Sequence, residues 1–257
     1  MKGRFNQILS LLAVCQWIVG VLNRNTNGNL IEYFELLPIA CRLERCEQDT
    51  ELAENCTTLL AMVSEGLTLD YCMGAALAKV NEVSLMTSWS ARLAVIDVLQ
   101  VLVFNNMPIV ISNDGWVQQV QTIVLQLLED PVLEVRTKAA QVLGGLLHCS
   151  FLPATDKLLE LFKKKCRTKI IKSARRIVSC SSEASSDSQD GDSVRMRHMG
   201  VLGLCAFISA YPYDIPDFLP DVFEHLGAHL NDPQPIPVSF YYFRGLSGGI
   251  SRICLSF

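Results

Sequence analysis

Two histidines, His225 and His229, stand four residues apart with Glu224 beside the first. On a helix that spacing puts both imidazoles on one face, as a metal site requires. No third ligand comes at a recognisable spacing, so two packed or surface histidines are expected, with no metal and no other cofactor. Gly245-Leu246-Ser247-Gly248-Gly249 offers a serine among glycines, but it lacks the G-x-S-x-G spacing and the strand context of a nucleophile elbow. There is no glycine-rich phosphate loop. Ten cysteines are present without a C-x-x-C pair, and most lie in apolar helical runs, where a thiol behaves as a small hydrophobe. Reduced thiols and no catalytic residue are therefore expected.

The residues that organise the chain lie elsewhere. Asp130 suits a helix N-cap and Pro131 the first helical position, where its missing N–H would be unpaired anyway. From there Val132, Val135, Ala139, Val142, Leu143 and Leu146 share one helical face, while Glu134, Lys138 and Gln141 share the other. With Arg136 one turn into the helix, this reads as the turn and second helix of a HEAT repeat. Asp49-Thr50-Glu51-Leu52 echoes it before Cys56, Leu59, Leu60 and Val63, and Ser88 is placed to cap a richly apolar helix through Leu102. Second helices centred near Thr58, Ile96, Ala140 and Leu202 recur about every 40 residues, the HEAT and armadillo period. First helices are expected over about 30–45, 71–83, 115–128, 155–165 and 216–230. Each has an apolar face it cannot bury alone, so the fold class is an all-α, HEAT/armadillo-like solenoid of stacked antiparallel helix pairs.

Composition agrees. Of 257 residues, 50% are hydrophobic and 19% charged, too apolar for disorder, and the net charge of −4 is spread along the chain. No direct DNA binding and no membrane partner are expected. The start, Met1-Lys2-Gly3-Arg4 and an apolar stretch from Ile8 to Leu22, imitates a signal peptide. Interruptions at Asn6, Gln7, Ser10 and Gln16 favour an amphipathic core helix instead. The acidic, serine-rich stretch about 180–193 should be a disordered loop. The Asp130 turn returns at Leu230-Asn231-Asp232-Pro233-Gln234-Pro235, but Pro237 and a glycine- and aromatic-rich segment replace the helix that should follow. That divides the chain into a repeat region, 1–236, and a divergent, poorly ordered tail, 237–257. It also leaves the stretch from Pro216 on loosely packed or covered by a partner.

Several blocks in order resemble the C-terminal part of the family of large HEAT-repeat proteasome caps, proteasome activator subunit 4. They are Gly3-Arg4-Phe5-Asn6-Gln7, Tyr33-Phe34-Glu35-Leu36-Leu37-Pro38, Leu127-Leu128-Glu129-Asp130, Leu133-Glu134-Val135-Arg136, Gly200-Val201-Leu202-Gly203-Leu204 and Leu230 through Ile236. The resemblance implies a non-enzymatic activator that docks on the end ring of the core proteasome. It also implies ubiquitin-independent degradation, acetylated core histones as partners, a link to DNA repair, and a place in nucleus and cytoplasm. The family reads acetyl-lysine with an Asn-Phe pair after a Leu-Leu-x-Cys run; here Ser150 and Phe151 take those places after Leu146-Leu147-His148-Cys149. A serine hydroxyl donates a hydrogen bond from a shorter arm than a carboxamide. Lys163, Lys164, Lys165, Arg167 and Lys169 match a nuclear-localisation-like run, and Ser186 and Ser188 lie in an acidic context suited to phosphorylation. The family docks through a terminal Tyr-Tyr tail, whereas Tyr241-Tyr242 here is internal and Ser256 is penultimate. A truncated or regulatory form unable to open the gate is the alternative expectation.

Overall fold

A computed structural model describes residues 2–24, 31–169 and 186–229, which are all-helical. They divide into two compact units, Met1–Leu127 with Val132–Val142, and Leu128–Pro131 with Leu143–Phe257.

The first unit contains α1 (Lys2–Leu22), α2 (Ile31–Phe34), α3 (Leu37–Leu43), α4 (Thr50–Glu65), α5 (Asp70–Ser84), α6 (Trp89–Asn105), α7 (Met107–Ile111), most of α8 (Asp114–Leu128) and the first part of α9 (Leu133–His148). The expected caps form. Asp49 Oδ1 accepts from Leu52 N at 3.0 Å to start α4, and Ser88 Oγ accepts from Ala91 N at 3.4 Å to start α6. Around α6 pack α3, α4, α5 and α7, so Ala91, Val95, Ile96, Leu99, Leu102 and Val103 are buried together. Each such Leu, Ile or Val side chain contributes roughly 1.5–3 kcal/mol.

On its inner side, α1 buries Cys15 and Ile18 against α4 and leaves Trp17 66% exposed, as an amphipathic helix does. Among the described residues no helix is long and apolar enough to cross a membrane. Eight cysteines of the described residues are free thiols. Cys15 and Cys56 face each other between α1 and α4, and the hydrogen bond between them pulls the Cys15 thiol down and pushes the Cys56 thiol up.

One expected helix is broken. The stretch 30–45 forms α2 and α3 instead, interrupted at Glu35-Leu36 because Pro38 has no N–H to continue a helix and takes a first-turn position in α3. Polar side chains then fix the connections. Asn106, between α6 and α7, accepts from Thr68 N at 2.7 Å and donates to Gly66 O at 3.3 Å and Leu102 O at 2.9 Å, clamping the α4–α5 connection. Arg92 donates to Met86 O at 2.7 Å and Thr87 O at 3.0 Å ahead of α6. Lys138 of α9 pairs with Asp97 of α6 at 2.7 Å.

In the second unit the end of α9 is followed by α10 (Asp156–Cys166), α11 (Ser186–Ala210) and α12 (Leu219–Gly227). Thr155 Oγ1 caps α10 by accepting from Leu158 N at 3.3 Å. Two glycines one turn apart bring the α11 backbone against α10, Gly200 meeting its backbone and Gly203 a ring. A Cβ added to Gly200 would lie 2.1 Å from Cys166 N, and one added to Gly203 would lie 2.3 Å from the Phe162 ring. Edge-to-face rings continue the contact: Phe162 to Phe207 at 6.0 Å, Phe207 to Phe218 at 5.7 Å, and Phe218 to Tyr211 at 5.6 Å between centroids. Each pair is worth about 0.5–1.5 kcal/mol beyond burial.

Two expectations for this unit change. The stretch about 180–193 is not a loop throughout: residues 180–185 lie outside the described residues, and from Ser186 the chain is already the first turns of α11, where Asp192 pairs with Arg195 at 2.8 Å in an i,i+3 relation. The helix expected over 216–230 is shorter and is not left uncovered. Leu219, Val222 and Leu226 are buried, and α12 packs on both α10 and α11. The divergent tail 237–257, with Tyr241-Tyr242 and Gly245 to Gly249, lies outside the described residues.

Candidate functional site

The Asp130 turn does not work as the sequence implies. Pro131 and Val132 form a bend, α9 begins at Leu133, and Arg136 N donates to Val132 O at 3.2 Å. Val132, not Asp130, therefore holds the cap position. Asp130 and Arg136 are each buried, 5% and 6% exposed, which is unusual for these residue types.

At the other end of α9, Ser150 has φ 58°, the left-handed conformation, and no other non-glycine among the described residues has a positive φ. Its N–H returns to Leu147 O at 3.0 Å and Leu152 N–H reaches Leu146 O at 3.1 Å, closing the helix with a Schellman-like cap. Asn tolerates this conformation better than Ser does. Ser150 is exposed and Phe151 is 3% exposed, so the pair is split: a hydroxyl in solvent above a ring in the core. His148 Nδ1 lies 2.8 Å from Ala210 O, fixing the end of α9 to the end of α11.

The basic run begins inside α10. Lys163 is buried, pairs with Glu160 at 2.8 Å, and forms an ion pair with Asp221 of α12. The Asp221 hydrogen bond holds the Lys163 ammonium above its ordinary value, and the same bond holds the Asp221 carboxyl below its own. Lys165 pairs with Glu129 at 3.1 Å. Arg167 hydrogen-bonds His225 Nε2, and His225 Nδ1 is 2.8 Å from Asp221 O, so both ring nitrogens are engaged within the protein. Lys164 and Lys169 are exposed. Among the described residues no three His, Cys, Asp or Glu side chains come together as metal ligands. His225 is thus half of a tie between α10 and α12. That tie joins residues 58 apart in sequence, and no local spacing announces it.

A HEAT-repeat profile matches residues 120–150, covering the second half of α8, the Pro131 bend and α9. A profile described as "Proteasome activator complex subunit 4-like, C-terminal" matches residues 194–240. Proteasome activator complex subunit 4 of Xenopus laevis is 36% identical over 239 residues, 92% of this chain and 13% of that protein. The chain belongs to the proteasome activator complex subunit 4 family. The human protein of that name is 33% identical over the same share, and the Arabidopsis thaliana proteasome activator subunit 4 is 29% identical over 150 residues, 58% of this chain and 8% of that protein. The chain thus spans 13% of the length of the vertebrate subunit 4 relatives it matches. Within the stretch matched by the subunit 4 profile lie Gly200 and Gly203, which the sequence offered as a Gly-x-x-Gly step in an apolar helix, a signal of close packing that a reading by caps and period passes over.

Proposed function

We propose that this chain is a non-enzymatic scaffold segment of a proteasome activator whose partner is the end ring of the core proteasome. What carries the reading is the 36% identity across 92% of the chain to a protein named as a proteasome activator subunit. The side-chain chemistry supports it. Lys163, Asp221, Arg167 and His225 are spent on holding helices together, the work of a scaffold. The test is sedimentation of purified core proteasome with the chain, alongside hydrolysis of a short fluorogenic peptide. Saturable co-sedimentation with a raised peptidase rate is expected. A chain that stays in the supernatant at every concentration overturns the reading.

In the finer form of this reading the degradation is independent of ubiquitin, acetylated core histones are the cargo, and the chain acts in nucleus and cytoplasm. Support comes from the resemblance at Leu146 to Phe151 and in the basic run. The exposed Ser150 hydroxyl is the donor to the acetyl oxygen, and the buried Phe151 supports the turn from beneath. Titration with acetylated and plain histone-tail peptides should show preference for the acetylated form, strengthened in Ser150→Asn; equal binding refutes it. For localisation, the exposed Lys164 and Lys169 are the charges to change to alanine. Unchanged nuclear abundance counts against import through this run.

A further inference from the structure

Between α11 and α12 the chain runs Tyr211-Pro212-Tyr213-Asp214-Ile215-Pro216-Asp217-Phe218 without regular structure. Its two ends are pinned. Tyr211 N donates to Ile208 O at 3.2 Å, Leu219 N donates to Pro216 O at 2.9 Å, and the Tyr211 and Phe218 rings meet edge to face across the base. Between the pins the loop carries apolar side chains outward: Tyr213 is 71% exposed and Ile215 is 81% exposed, the highest of the exposed large hydrophobics among the described residues. No backbone hydrogen bond among the described residues uses the N–H or C=O of Tyr213, Asp214 or Ile215. Pro212 and Pro216 fix φ near each end; the chain bends at Pro212 and Tyr213 and runs irregularly from Asp214 to Pro216.

A single exposed apolar side chain needs no explanation, but here a phenol, a carboxylate, an aliphatic and a proline follow one another on an irregular loop tied at both ends, with no backbone hydrogen bond at 213–215. A tyrosine kinase binds its substrate residue in an extended segment, and this loop can straighten into one without breaking a backbone hydrogen bond at 213–215. Protein modules that read the product pair an arginine-lined phosphate pocket with an apolar slot for residues two and three places further on. Tyr213 supplies the phosphate acceptor, Asp214 the acidic residue beside it, and Ile215 with Pro216 the apolar part. Asp214 and Asp217 disfavour folding of an added phosphate back onto the loop, leaving it to a cationic partner.

We propose that Tyr213 is a phosphorylation site, and that the phosphorylated loop 213–216 docks a phosphotyrosine-reading domain selective for proline three residues on. In the modification the Tyr213 phenolic oxygen forms a bond to the γ-phosphorus of ATP, the bond from that phosphorus to the β,γ-bridging oxygen breaks, ADP leaves, and the phenolic proton passes to the kinase's base. The other exposed tyrosine of the described residues, Tyr71, is 76% exposed but lies in the first turn of α5, where its backbone is helical and cannot enter an extended substrate cleft.

The test uses the full chain, a purified tyrosine kinase catalytic domain of broad specificity and Mg-ATP, with phosphate mapped by mass spectrometry. Binding is then measured to a purified SH2 domain whose pockets select proline at the third position. Tyr213 should be the dominant site, the signal should vanish in Tyr213→Phe, and phosphorylation should tighten SH2 binding by about a hundredfold, as two or three charge-assisted hydrogen bonds provide. At equal phosphorylation, Pro216→Ala should weaken binding by about tenfold; its backbone oxygen, the partner of Leu219, is kept. Modification of Tyr71 in preference to Tyr213, or an SH2 affinity indifferent to phosphate or to Pro216, overturns the proposal.

Discussion

Gly200→Ala is the sharpest probe of the α10–α11 contact. The added methyl would lie 2.1 Å from Cys166 N and 2.6 Å from Cys166 Cα, where ordinary contact begins at 3.4 Å. Because the obstacle is backbone, no rotamer change relieves it, and the two helices must part by about 1.3 Å at that point. A gap of that size forfeits about half of the dispersion attraction across the seam where Phe162, Cys166, Val201, Leu204 and Phe207 are buried. Overpacking of this kind costs about 3 kcal/mol, and the better helix propensity of alanine returns about 1 kcal/mol, for a net loss of about 2 kcal/mol. The chain has two units, so the loss should be read locally, by hydrogen exchange of α10 and α11 amides, where about 2 kcal/mol is about thirtyfold faster opening. Gly20→Ala is the control. Nothing lies within 4 Å of its added Cβ, so propensity alone should act and stabilise α1 by about 0.5–1 kcal/mol. If Gly200→Ala leaves α10 and α11 as well protected as before, the close contact of the two backbones is wrong.

Three further outcomes follow from the same geometry. Ser150→Asn and Ser150→Gly should each stabilise the end of α9 by about 0.5–1 kcal/mol by relieving the left-handed strain, and Ser150→Val should destabilise it by at least about 1 kcal/mol, measured by exchange of Leu146 to Leu152. Asp221 should titrate below its ordinary value of 3.8, so its contribution to the α10–α12 contact is complete above that pH and lost as pH falls through the depressed value; in Lys163→Met, NMR should find the midpoint returned toward 3.8. Iodoacetamide at mildly alkaline pH should label the half-buried Cys46 and Cys149 before Cys41 and Cys166, whose thiols burial pushes up to about 12 and about 11; labelling in the reverse order contradicts those environments.

Where a short side chain caps a helix, the sequence was legible, because cap and helix are neighbours: Asp49 and Ser88 start α4 and α6. Legibility failed where two local signals competed. Pro38 interrupts a stretch whose apolar period continues through it, and the Asp130-Pro131 signal stands two residues ahead of the helix that starts at Leu133. The site was harder still. The hydroxyl of Ser150 is readable as a donor, but its φ is dictated by where the chain must go after α9. Lys163 reads as one of a row of solvated lysines until Asp221 arrives from α12. A basic run can be counted in sequence, but which of its charges are spent inside the fold is decided by tertiary contact.

Asn106 illustrates a different economy. Its carboxamide touches the α4–α5 connection only through the main chain, accepting from the Thr68 amide and donating to the Gly66 carbonyl. Main-chain groups are the same whatever residue carries them, so the exposed side chains at Leu67 and Leu69 are free to drift without disturbing the clamp, while Thr68 is buried and held by packing. Asn106 has no such freedom: aspartate would lose the donor, glutamine would overshoot, and serine would fall short of one partner. The connection can therefore vary in composition for as long as a single amide on another helix stays unchanged, and a repeat scaffold can revise one of its surfaces while its path in space is kept by a residue that surface does not contain.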